Sequence, residues 1–409
     1  MKKSRYDFYQ TCKNSRIKNI IAFVLLFIAL LFLLIVQTPV FADSSEVLSK
    51  EIDEQIENQL NNIDTSSFQS IIDKLNDEKS LFNNGSFLDN IKKLLAGENQ
   101  IDFTNIFNVF ISLFSKSLVS ILPLVCSIIG IGILSSIITQ TSVSKDESIK
   151  NIVHFVCFGL IITIVFTAVI QVISISNSTM NSLKEQMQIS FPILLTLMTV
   201  IGANASVSVY QPLVAVLTGS LMSVFNNFVM PLFVFCLVFS VAGNLSNNIK
   251  LNKFKNMFEN IFKWTIGITF TIFSSILAVQ GITAGSFDGL SFRTTKYAMK
   301  SYIPFVGSYL SDGLNLILTS SVLIKNAIGT TGVILILATI ISPIIKILIL
   351  KLALSFSASI LEPIADKKIC DFLFSISKCL SMLIAIICVS SFAYFLTIGL
   401  VMCSGNFSF

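Results

Sequence analysis

Beyond residue 116 the chain alternates long apolar runs with short polar loops, a pattern that predicts membrane-crossing helices. Six runs, at 117–138, 152–174, 225–241, 264–282, 328–350 and 379–402, each hold about twenty residues, the length an α-helix needs to cross the hydrocarbon core. Lipid offers backbone amides no hydrogen-bond partner, so helices that close their own bonds are the expected elements. The expected fold class is all-α, a polytopic α-helical membrane protein with about six spanning helices in a membrane domain over 104–409.

Two further apolar stretches do not fit the parity of six crossings. One is 189–221, interrupted by Pro192, Gly202, Asn204 and Pro212, and the other is 314–324. Both read as re-entrant or interfacial helices, and broken helices at membrane depth point to a cavity lined by protein or water. For 189–221 two short spans are an equal alternative, which preserves the orientation of everything after it.

The amino terminus reads differently. Lys2, Lys3, Arg5, Lys13, Arg16 and Lys18 precede an unbroken apolar stretch over 20–36, and Val40-Phe41-Ala42 supplies a small-residue site. This three-part layout predicts a signal peptide over 1–42, cleaved before Asp43. An uncleaved anchor is the alternative; in both cases the next segment is exported. That segment, 43–103, is acidic and helical in pattern, with Leu48, Ile52, Ile56, Leu60 and Ile63 at three- and four-residue spacing.

Composition agrees with a lipid environment: 53% of residues are hydrophobic and 12% charged, more apolar surface than a soluble chain of 409 residues could cover. The net charge of +5 belongs to the leader, which carries six bases and one acid, so the remainder is neutral. No strip of basic residues interleaved with aromatics appears, and a nucleic-acid surface has little support. Placing Asp43 outside puts 139–151, 244–263 and 351–378 in the cytoplasm. Those loops hold ten lysines against five basic residues on the other side, the bias expected of cytoplasmic loops.

No catalytic or metal constellation emerges. His154 is the only histidine, no Cys-x-x-Cys pair exists, and most of the eight cysteines sit in or beside apolar runs as small hydrophobes. No enzyme activity and no cofactor are expected. The candidates are instead polar groups at or near membrane depth, where an ionisable side chain faces protein or water. They are Asp312 and Asn315 at the head of the short helix, Lys325 and Asn326 between it and the next span, Lys346 within that span, and Glu362 and Asp366 after it. Snorkelling to the cytoplasmic interface is the simpler reading of Lys346. Lys325 either reaches the outer interface or lines a polar cavity. His154 and Trp264, at the starts of two spans, read as interfacial residues.

The stretch 293–366 resembles the stage III sporulation protein AE family of endospore-forming bacteria. It carries, in order, Arg293-Thr294-Thr295-Lys296-Tyr297, Pro304-Phe305-Val306-Gly307 running to Ser311-Asp312, Lys325-Asn326-Ala327-Ile328-Gly329 with Gly332, Pro343 with Lys346, and Glu362-Pro363-Ile364-Ala365-Asp366. The resemblance implies a mother-cell protein in the membrane around the forespore. It implies as partners other stage III A sporulation proteins and, through them, stage II sporulation protein Q, in addition to membrane lipid. It also implies a permease-like role in a channel or secretion-like complex. A homo-oligomer is compatible with this, and a scaffold that transports nothing is the rival expectation.

Overall fold

The computed structural model of the protein describes residues 103–140, 147–245, 252–302 and 307–404, together with Gln69. The expected leader, 1–42, lies outside the described residues, as does the acidic segment 43–103 apart from Gln69 and Phe103. Among the described residues from Phe103 onward there are seven α-helices and one π-helical turn. They are α1 (Phe103–Gln140), α2 (Glu147–Val200), α3 (Asn204–Val224), the π turn (Phe225–Val229), α4 (Met230–Leu245), α5 (Asn252–Tyr302), α6 (Gly307–Leu361) and α7 (Lys367–Cys403). No strand occurs among the described residues.

Each of the six apolar runs is helical, 225–241 covering the π turn and most of α4, and among the described residues six helical stretches are long and apolar enough to cross a membrane. Burial divides them. In the most apolar stretches of α6 and α7, 67% of residues are buried, against 17% in α5 and 28% in α1 and α2. Helices α6 and α7 are therefore the centre of the bundle, and the others present most of their surface outward.

The α6–α7 pair is antiparallel and close. Ser355 and Ser377 share a hydrogen bond of 2.7 Å near one end, and Ser377 Oγ also donates to the Lys351 carbonyl at 3.0 Å. Toward the other end Gly329 faces Met402 and Gly332 faces Ile398, the absent side chains letting the helices approach. Helix α2 also runs antiparallel to α6: Gln186 meets Thr339, and far along the same helix His154 meets Asp366, just past the end of α6. Helix α1 packs where Gly132 admits Leu361.

The elements run longer than the sequence pattern suggests. Helix α6 has 55 residues, about 82 Å at 1.5 Å per residue, nearly three times the hydrocarbon thickness of about 30 Å. The stretch 314–324 is continuous in it with the span 328–350, and the expected loop 351–378 narrows to the turn between Leu361 and Lys367. Within 189–221 the chain breaks once. Gly202 has φ of +86°, Gly202 N–H donates to Thr199 O at 3.0 Å and Ala203 N–H to Met198 O at 2.9 Å, so α2 ends in a Schellman turn. Pro192 and Pro212 stay inside helices, which packed membrane helices tolerate. Helix α3 then continues through the π turn into α4, where Asn227 Nδ2 donates to Ser223 Oγ at 3.1 Å.

Hydroxyls within the bundle close on their own helices. Thr163, Thr167, Ser176, Thr196, Thr218, Thr331, Ser390 and Thr397 each donate to the carbonyl four residues earlier, which removes the cost of a bare hydroxyl in an apolar setting.

Candidate functional site

The sequence-derived candidates fall into four places on and just beyond α6. Asp312 and Asn315 belong to its first turns. Lys325 and Asn326 come next, Lys346 lies farther on, and Glu362 and Asp366 lie beyond its end. From Lys325 to Leu361 the helix rises about 54 Å, so the two ends cannot contribute to one pocket.

At the second of these places Lys325 is fully buried, a costly position for an ammonium unless its donors are used. Its Nζ donates to the backbone carbonyl of Ser404, the residue that caps α7. Ser404 Oγ donates to Leu400 O at 2.8 Å, so the hydroxyl of Tyr210, 2.9 Å away, donates to Ser404 Oγ. Tyr210 is likewise fully buried. Three helices, α3, α6 and α7, thus meet in one polar knot. The side-chain oxygen of Asn326 is buried beside it and has no hydrogen-bond partner among the described residues.

Midway along, Gln186 of α2 donates through Nε2 to Thr339 Oγ1 of α6 at 2.5 Å, while Thr339 itself donates to Leu335 O at 2.9 Å. Gln186 is buried, and its Oε1 has no partner among the described residues. Lys346, two turns beyond Thr339, is exposed.

At the far end Asp366 starts α7. One carboxylate oxygen accepts from Lys368 N–H at 2.9 Å, and the other lies 3.6 Å from His154 Nε2. His154 stacks on Phe158 with centroids 6.0 Å apart, and Phe158 meets the edge of Phe372 at 5.5 Å. Ser136 of α1 donates to Ile364 O at 2.6 Å. The turn 362–366 is therefore held by α1 and α2 together, while Glu362 points outward and is exposed. His154, expected only at an interface, has a specific partner.

Sequence reasoning missed Tyr210, Ser404, Gln186 and Thr339. Only Gln186 carried a signal, since it lies in a polar stretch, 174–190, between two apolar ones. Among the described residues no group of three His, Cys, Asp or Glu side chains is placed to hold a metal ion.

Long apolar helices around two buried central ones, with polar contacts inside, define a multi-pass α-helical membrane protein. The family model described as Stage III sporulation protein AE matches residues 86–405, and the chain belongs to that family. The chain is similar to Stage III sporulation protein AE of Bacillus subtilis (strain 168), 22% identical over 262 residues that cover 64% of this chain and 66% of that protein. It therefore spans just under two thirds of that relative's length. No solved structure matches it. Family membership places the protein among sporulation membrane components.

Proposed function

We propose that this protein is the permease-like, non-enzymatic membrane subunit of a channel or secretion-like complex through which a mother cell supports its forespore. In this reading it lies in the mother-cell membrane around the forespore with its amino-terminal segment extracytoplasmic. It assembles with other stage III A proteins and, through them, with stage II sporulation protein Q, and small solutes pass or are gated. The observation that supports it most is the polar interior of the α2–α6–α7 core, where Gln186, Thr339 and Lys325 are buried and bonded from one helix to another. Polar and charged groups inside a membrane bundle are costly and mark solute or ion paths more often than they mark simple anchors.

The test is reconstitution of the full chain with its partners in vesicles and measurement of small-solute efflux. Efflux that requires this subunit supports the proposal. Full assembly without efflux in any combination overturns it in favour of a scaffold. One observation favours that second reading: the Lys325 ammonium is engaged by the Ser404 carbonyl, which makes it a fastening between helices as readily as a lining group.

A further inference from the structure

Gly332 of α6 fixes a common level across four helices. A methyl group added there would lie 3.3 Å from Ile398 Cδ1 of α7 and 3.9 Å from Ser190 Oγ of α2. Two residues along α7, Leu400 would lie 3.1 Å from a methyl group added at Gly281 of α5. Helix α5 runs parallel to α7, since Phe270 packs on Phe392 at 5.6 Å, and α2 shares that direction because both α2 and α7 oppose α6. Gly281 lies level with Leu400, two residues past Ile398, so Ile272 of α5 stands seven residues and Asn181 of α2 nine residues from the level of Gly332. At 1.5 Å per residue this puts them within about 3 Å of one depth.

At that depth the two helices show opposite surfaces. Helix α5 exposes Trp264, Ile268, Ile272 and Val279, with Thr271, bonded to the Gly267 carbonyl of its own helix, and Ser275 as the small polar residues among them, a mostly apolar face suited to lipid. Helix α2 exposes Asn177, Ser178, Asn181, Glu185 and Gln188, which at 100° per residue fall within an arc of about 100°. One stretch earlier the same face of α2 mixes exposed Leu160 and Ile170 with Thr163 and Thr167, whose hydroxyls are already bonded to carbonyls of their own helix. Lys346 of α6 is exposed on the side of that helix that carries Thr339, the partner of Gln186. Behind the polar face the buried Oε1 of Gln186 has no hydrogen-bond partner among the described residues. Hydrocarbon can hydrogen-bond none of these groups.

We propose that the outward polar face of α2, with Lys346, is wetted at the depth where α5 faces lipid and forms the wall of an aqueous path for small uncharged or zwitterionic solutes. Its role as a solute path rests on the transport reading above; its contact with water does not. The solute class follows from the lining, which is mostly uncharged amides and a hydroxyl, with the carboxylate of Glu185 and the ammoniums of Lys346 and, at its edge, half-exposed Lys184.

The test uses the full chain in sealed membrane vesicles and a membrane-impermeant charged maleimide, with the parent protein setting the background from its own exposed Cys126 and Cys403. Asn181→Cys is expected to label at least tenfold faster than Ile272→Cys. Ser178→Cys and Gln188→Cys provide the same comparison if Asn181→Cys fails to accumulate. Equal rates at Asn181→Cys and Ile272→Cys overturn the proposal. Ready oxidative cross-linking of Asn181→Cys between two chains, with no labelling, also overturns it, because a second copy then covers the face. In vesicles where efflux of a neutral amino acid depends on this subunit, the adduct at Asn181→Cys is expected to reduce the rate severalfold. Labelling with unchanged efflux overturns the path alone, whereas absence of efflux from the unmodified complex defeats the transport reading and leaves the wetted face standing.

Discussion

The ammonium of Lys325 donates to the carbonyl of Ser404, fastening the interior of α6 to the last turn of α7. A buried charge costs free energy that its hydrogen bond only partly returns, so removing both charge and donor while keeping volume has opposing effects. Lys325→Met is expected to shift stability by less than about 1 kcal/mol, whereas Lys325→Ala, which leaves a cavity, is expected to lose about 2–4 kcal/mol. Thermal unfolding of the purified protein in detergent checks the difference. If the charge serves transport, Lys325→Met is also expected to abolish heat-resistant spores at near-normal protein levels.

Asp366 has two separable duties. Its first oxygen caps α7 through Lys368 N–H, and its second faces His154. Asp366→Asn preserves the cap and is expected to be nearly neutral, because the half-exposed pair with His154 contributes little. Asp366→Ala removes the cap and is expected to cost about 1 kcal/mol. Equal losses from the two substitutions, measured by unfolding midpoint, would show that the contact with His154 carries the effect.

The number and position of the spans were legible in the sequence because lipid imposes one rule on every exposed backbone, and 117–138 or 379–402 can satisfy it only as helix. The interruptions were less legible. Pro192, Pro212 and Gly202 look alike as breakers, yet only Gly202 ends a helix, because it alone supplies the positive φ that the turn requires. Lys325 was visible as a cation at membrane depth, but its partners were not. Tyr210 and Ser404 are 194 positions apart, and no local pattern announces a contact made by tertiary packing. The polar stretch 174–190 read as a break between spans, whereas α2 runs through it without interruption and lays it against the middle of α6.

The close approach of α6 and α7 depends on two glycines that differ in what faces them. A methyl group at Gly329 would strike the side chain of Met402, an unbranched thioether that can rotate away. At Gly332 the neighbour is Ile398, whose β-branched side chain has little freedom within a helix. Gly329→Ala is therefore expected to be nearly neutral, while Gly332→Val is expected to cost about 1–3 kcal/mol through overpacking. The unfolding midpoints of the two variants, compared in one detergent, decide the matter. The reverse order would mean that Met402 is held as firmly as Ile398.

Gln186 and Thr339 should behave asymmetrically although they form one hydrogen bond. Thr339→Val leaves the Gln186 amide buried with neither its donor nor its acceptor used, which is expected to cost about 1–3 kcal/mol. Gln186→Leu removes an acceptor that already lacked a partner, and Thr339 keeps its bond to Leu335 O, so the loss is expected to be below about 1 kcal/mol. The double variant should then resemble Gln186→Leu rather than the sum of the two, because the stranded amide is the source of the penalty. A double-mutant cycle on unfolding free energies measures this directly. Additive losses would place the cost in the threonine's own packing against α6 and leave the cross-helix bond with no net contribution.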